Sequence, residues 1–306
     1  MLTKAVQIID RLFLPSTSPA ARPARAGSSP ELERLRTVRP SLRRVIVEEP
    51  DSPEVRAVVH AIRTEGLPFI VTHAPGPTFN RFSAELRLGT CLPVGSIGFV
   101  QACMALAGIP PPQWSCYPRP LAKHLLQAPH CITAGAALQA GTPTFIKPVM
   151  GKSFAGFVLR PYSELDDRAR EQLVALSRLD PATPVWAAHA LTLCSEWRYY
   201  VLSGDVIGFG CYARSGGDPA VHPPLEEIGT IVAAVPNDAA YALDVGVLAS
   251  GELTLVALRD AWALDLVGGG AHAPLPLDYL KLLWMRWVKL LLDSARLQRE
   301  PPERNT

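Results

Sequence analysis

The feature that most constrains this chain is a pair of long apolar runs, each folded back on itself. "EWRYYVLSGDVIGFGCYA" begins at Glu196, and "YALDVGVLASGELTLVALRDAWAL" begins at Tyr241. Both carry strand-forming residues on either side of a short turn, Ser203-Gly204-Asp205 in the first and Ser250-Gly251 in the second. Glycine beside a small polar residue supplies the positive φ of a tight hairpin. Both runs therefore read as β-hairpins. "TPTFIKPV" and "FAGFVLR" read as adjacent strands joined by a loop around Met150–Ser153, and "PVWAAHAL" as a further strand.

Nearer the N-terminus the order is different. "RRVIVEE" reads as a strand, Pro53–Glu65 as a helix and "PFIVT" as a second strand, a βαβ-like start. Ser96 caps a helix through Leu106 that Gly108 and Pro110–Pro112 stop. Trp114–Tyr117 reads as one more short strand. A polar helix is expected from Ser163 and a further helix near Leu225–Val235, with an amphipathic helix over Leu277–Leu292. Asp278, Lys281, Arg286 and Lys289 interrupt that last apolar stretch, so it is too short to span a bilayer. Residues 15–43 are rich in Pro, Ala, Ser and Arg, and the stretch up to residue 43 reads as a flexible tail. The expected organisation is a tail (1–43), a small α/β unit (44–118) and a larger α/β (α+β) domain (119–300) ending in the amphipathic helix.

Composition excludes several classes. With 48% hydrophobic and 19% charged residues, the 306-residue chain can bury a core and is not disordered throughout. A net charge of +2 argues against a nucleic-acid coat or a polybasic membrane binder. The six cysteines include no CxxC pair, and Asp10 and Arg11 break the only stretch that resembles a secretory signal. The expectation is a cytoplasmic protein with reduced thiols and no zinc site.

Lysine is scarce. Only Lys4, Lys123, Lys147, Lys152, Lys281 and Lys289 occur, and three of these fall between positions 123 and 152. A compact ammonium suits a phosphate oxygen in a tight pocket. Lys147, inside the apolar "TFIKPV", needs a partner for its charge. "MGKS" is not a phosphate-binding P-loop, because Ile146 stands where the first glycine belongs. "GFGCYA" fails the dinucleotide pattern at Ala213. In "EWRYYV", alternation sets Glu196, Arg198 and Tyr200 on one face, which suggests a polar cleft.

In this order, a lysine leading into a helix (Lys123), "FIKP", "GKSFAGFVL", "VWAAHAL", "SEWRYYVLSGDVIGFGCY" and "LDVGV…LTLVALRDAWAL" resemble the ATP-grasp superfamily. They are most similar to its bacterial and phage clade with "FIKP" and "sEwR" signatures. The resemblance covers about residues 90–268 and implies an ATP-grasp fold behind a small N-terminal pre-ATP-grasp domain. It implies ATP between two sheets, with Lys123 and Lys147 on the α- and β-phosphates and Lys152 on a closing loop. Trp186, Ala187 and Ala188 would form the hinge that reads adenine. Glu196 would share the cleft with Arg198, and Arg198 would steady the transferring phosphoryl group. Magnesium would be held by Asp244 and by a Glu and an Asn on the last strand. By position those two are Ala257 and Arg259, which leaves Asp260, on the opposite face unless the strand bulges, or else Arg259 in place of the metal's charge.

The activity so implied is an ATP-dependent carboxylate–amine ligase acting through an acyl-phosphate, with unidentified acid and amine substrates and neither nucleic acid nor membrane as partner. The helix start at Gly95-Ser96 offers a place for an acceptor anion, although a plain cap is the competing role. An alternative is a nucleotide-binding module that has lost turnover. A third reading is an interaction protein presenting Trp284 and Trp287 to a partner.

Overall fold

The structure, a computed structural model, describes residues 42–49, 53–73, 77–112, 114–141, 143–149, 153–215, 222–236, 240–267 and 272–297. Nearly all of the expected tail lies outside them. Three sheets form the frame.

The first sheet is parallel, with β1 (Arg44–Glu48) between β2 (Phe69–Thr72) and β3 (Cys91–Val94). Parallel neighbours need crossovers. α1 (Pro53–Thr64) supplies one, and the helical turns from Pro77 through α2 (Ser83–Arg87) supply the other. Val45, Ile46 and Val47 are all buried, as expected of a strand covered on both faces. α3 (Ile97–Ala107) starts at Ser96, whose Oγ accepts the Phe99 N–H, and stops at Gly108 with φ 73°. The Glu48 carboxylate accepts hydrogen bonds from both the N–H and the hydroxyl of Ser96. An internal anion thus occupies the helix start considered for an acceptor.

The second sheet is antiparallel, in the order β4 (His130–Thr133), β7 (Pro184–His189), β5 (Thr144–Pro148), β6 (Phe157–Leu159). α4 (Ala134–Leu138) and α5 (Asp167–Ser177) cover one face, burying Ile146, Val185, Ala187, Phe157 and Leu159. α5 begins at Asp166, which caps Ala169 N–H at 2.7 Å; Ser163 lies in the preceding 3-10 turn. Alternation turns Phe145, Lys147, Trp186 and Ala188 toward the other face.

The third sheet carries the two long hairpins: β8 (Leu193–Leu202) with β9 (Asp205–Arg214), and β10 (Ala240–Leu248) with β11 (Leu253–Asp260). Its order is β11-β10-β8-β9, antiparallel throughout. Ser203 and Gly204 take φ of 54° and 85°, as a two-residue hairpin turn requires. α6 (Leu225–Ala234) packs on Tyr199, Val201, Leu243, Val245, Leu255 and Leu258. Trp114–Tyr117 is not a strand. It lies along the free edge of β11, where Leu258 N–H donates to Cys116 O and the Trp114 indole donates to Leu258 O, both at 3.0 Å. That contact covers an edge otherwise open to pairing.

α7 (Pro276–Leu297) joins the first and third sheets, packing on α1, β3, β8 and β10. Trp284 and Trp287 are only 2% and 1% exposed, and their indoles donate to Gly89 O and Leu86 O. They are core residues, which removes the surface on which the interaction reading depends. No described helix is long and apolar enough to cross a membrane.

Candidate functional site

Lys147 sits on β5 opposite Trp186 of β7, on the face that the helices leave open. It is 5% exposed, and neither its Nζ nor the Trp186 Nε1 has a hydrogen-bond partner among the described residues. Tyr117 lies over both. Its ring centroid is 5.4 Å from the ammonium and 5.5 Å from the Trp186 ring, edge to face. Burial, and then the nearby Arg259 charge, push the Lys147 ammonium down to about 8. The Cys116 thiol offsets part of that shift without meeting hydrogen-bond geometry.

Arg259 comes from the third sheet. There Asp244, wholly buried, faces Arg198 on β8 and Ala257 on β11. Arg198 grips its carboxylate through Nε (2.7 Å) and Nη2 (3.0 Å), and Arg259 Nε adds a third bond of 2.7 Å. Burial alone would raise this carboxyl. Arg259 and Arg198 more than offset it and hold it well below the usual carboxylate range. Arg198 also reaches Asp265 O at 3.4 Å and is buried. The Arg259 side chain keeps 31% exposure, and its outer amino groups are not used by Asp244.

Glu196 is on the same face as Arg198. It accepts from the Tyr212 hydroxyl at 2.8 Å, and burial raises its pKa against the pull of Tyr212 and the arginines. Tyr212 is the extra residue where the β8–β9 register slips between Glu196 and Trp197, and such bulges re-aim side chains. The Tyr117 hydroxyl feels both Arg259 and Asp244. Tyr117 therefore links the second sheet to the third. The junction of the two sheets gathers Lys147, Arg198 and Arg259 against Asp244 and a Glu196 whose negative charge is disfavoured, leaving a positive excess. Two orphaned donors and excess positive charge suit an anion with several acceptor oxygens.

Other expected residues lie elsewhere. Lys123 is exposed on the 3-10 turn Arg119–His124, and Lys152 lies outside the described residues. The expected hinge residues Trp186–Ala188 stand on β7, an inner strand flanked by β4 and β5. The Ala187 side chain packs toward the helices. The chain passes between the sheets at residues 190–192.

Asp260 is not brought to Asp244. The register slip in β11 falls beside Asp244, at Val256, too early to turn Asp260 over. The carboxylate of Asp260 instead makes two bonds to Arg286 of α7, at 2.5 and 2.6 Å. With Asp244 shared by two guanidiniums and Glu196 held by Tyr212, the residues present do not fit a magnesium ion held by protein carboxylates. No group of three or more metal-binding side chains occurs among the described residues.

A cavity of about 290 Å³ opens on the opposite side of β11, beside Trp114, Leu258, Arg286 and Lys289. Its cations are taken by Asp260 and, at 3.5 Å, by Asp293. The orphaned donors are not part of it. Tyr117 and Arg259, in contrast, belong to the cluster, and sequence reasoning does not find them as ligand contacts. Tyr117 is one phenol in a proline-rich connection, without a sequence signal of its own. Arg259 carries a signal, a cation in an apolar strand at a metal-ligand position, which the sequence offers as a lost ligand or as a substitute for the metal's charge.

The family model for an ATP-grasp domain, the third family of its clade, matches residues 103–284. No curated protein matches the chain. Among solved structures, L-amino acid ligase from Bacillus licheniformis is similar at 14% identity and a TM-score of 0.44, over 71% of this chain and 68% of that one. D-alanine–D-alanine ligase from Bacillus anthracis, complexed with ATP, is similar at 14% identity and a TM-score of 0.41, over 84% of this chain and 99% of that one. The ATP-grasp ligase PsnB with a phosphomimetic precursor variant, Mg and ADP is similar at 15% identity and a TM-score of 0.40, over 80% and 97%.

Proposed function

The chain belongs to this ATP-grasp domain family, with an α+β ATP-grasp fold, and from that premise we propose that the junction of its second and third sheets binds the phosphates of ATP. The observation that carries this reading is Lys147, a buried ammonium without a partner among the described residues, facing the junction. An unpaired buried charge is costly, and a phosphate oxygen would complete it.

The activity we propose is that of an ATP-dependent ligase. A carboxylate oxygen attacks the γ-phosphorus, the bond to the β,γ-bridging oxygen breaks, and ADP leaves. An amine nitrogen then attacks the acyl carbon, phosphate departs and the amine gives up its proton. Lys147 would hold the phosphates, with Trp186 beside them. Arg198 would act from behind, because it is engaged with Asp244. The donor set supplies no carboxylate pair for magnesium, so no step is assigned to a metal. That same feature favours a second reading, in which nucleotide binds without turnover.

The test is to incubate the full chain with ATP, magnesium and panels of carboxylic acids and amines, and to follow ADP. The ligase reading expects ADP that depends on an acid and is lost in Lys147→Ala. Binding without ADP under every pairing would favour the second reading. A chain that neither binds adenine nucleotides nor is stabilised by them would refute both.

A further inference from the structure

We propose that Arg259 takes the place of a divalent cation in this cleft, so that the site holds nucleotide phosphates without a metal bound by the protein. This deepens the nucleotide-binding reading and rests on it. Ala257 and Arg259 are the neighbouring positions of β11, opposite Asp244 and Ala242, whose side chains share a face with Asp244. One carries no donor, and the other carries a permanent positive charge.

Asp244 would be the natural anchor for a metal. Here it anchors a guanidinium instead, taking Arg259 by Nε alone. That grip anchors the group and leaves its outer amino groups, on a side chain 31% exposed, unused by Asp244. A planar fork with free N–H groups matches two phosphate oxygens at once. Arg198 cannot play this part, because its Nε and Nη2 are both spent on Asp244 and it is buried.

The second observation is independent of β11. The unpartnered, nine-tenths buried ammonium of Lys147 comes from the other sheet, close enough to feel Arg259. Two like charges converge there, and Glu196, the remaining acid on this face, is occupied by Tyr212. A phosphate between Arg259 and Lys147 would relieve that repulsion from both sides, and the protein would need no bridging ion to accept it.

The experiment is calorimetric titration of the full chain with ADP, once in EDTA and once in magnesium. The expected result is a pair of dissociation constants within about threefold of each other, as for a site whose cations are built in. Arg259→Ala, checked for folding by circular dichroism, should weaken ADP in EDTA by about tenfold or more, and Arg259→Lys should recover part of the loss. The double variant Ala257→Glu with Arg259→Asn should make binding depend on magnesium, and a double variant indifferent to the metal would count against the idea. If the parent binds ADP in magnesium and loses it in EDTA, the role given to Arg259 is overturned while the nucleotide reading stands. If it binds ADP in neither, both fall. The parent comparison needs no substitution, so a misfolded variant cannot shield the proposal.

Discussion

With its ammonium buried and Arg259 nearby, Lys147 titrates near pH 8 in the free protein, against about 10.4 for an ordinary lysine. The unfolded chain therefore binds more protons than the folded one between those values. Lys147 alone should make the unliganded protein more stable as pH rises from about 8 toward about 10, because a deprotonated amine no longer carries the cost of burial. Ligand binding has the opposite sign. A phosphate beside Lys147 raises its affinity for a proton, so ADP binding near pH 9 should take up about half a proton or more, with almost none taken up near pH 6. Titration in buffers of different ionisation enthalpy measures that uptake. An uptake that stays at zero across this range would mean that the bound anion does not meet Lys147. The residue was legible in the sequence because a charge inside an apolar strand needs a partner. Tyr117, which covers it, was not, since nothing in "WSCYPRP" announces that its ring will lie between two sheets.

At the scale of elements, alternation and turn chemistry located the long strands, both hairpins and the capped helix α3. They missed β3, β4, α2 and α4, which have only four or five residues each and are too short to express a period. Strand order is a tertiary property: "PVWAAH" is legible as a strand, but its place between two neighbours is not written in it. Asp260 teaches the same lesson about register. Alternation alone set it on the far face from Asp244, and the bulge needed to turn it over fell at Val256 instead. Close packing also fixes some backbone positions. A Cβ on Gly208 of β9 would come within 2.4 Å of Pro274 N and 2.5 Å of its Cα, backbone atoms that cannot step aside. Gly208→Ala should lift the segment that supplies His272 O to Phe209 N–H and cost about 1–3 kcal/mol, read as a lower denaturant midpoint. Nucleotide affinity should be unchanged. A variant as stable as the parent would show that the two segments are not held in contact.

For the whole molecule, the decisive fact is that one core crosses the expected domain boundary. Val45 to Ile109 of the first unit share it with Tyr200 and Leu202 of β8, Ala242 of β10, and Tyr279 to Leu290 of α7. Neither unit closes its apolar surface alone, so heating should produce one calorimetric transition, with matching calorimetric and van't Hoff enthalpies. Two separated transitions would mean that the shared core is not cohesive. Truncation before Pro276, which removes α7, should leave the parallel sheet uncovered and the chain unfolded or aggregated. A nucleotide that meets Lys147 as proposed would also meet Tyr117, whose phenol packs edge to face with the Trp186 indole. Any guest must first turn that phenol aside. Filling the site and parting one edge-to-face aromatic pair would then be a single event, with the emission of Trp186 as its natural reporter.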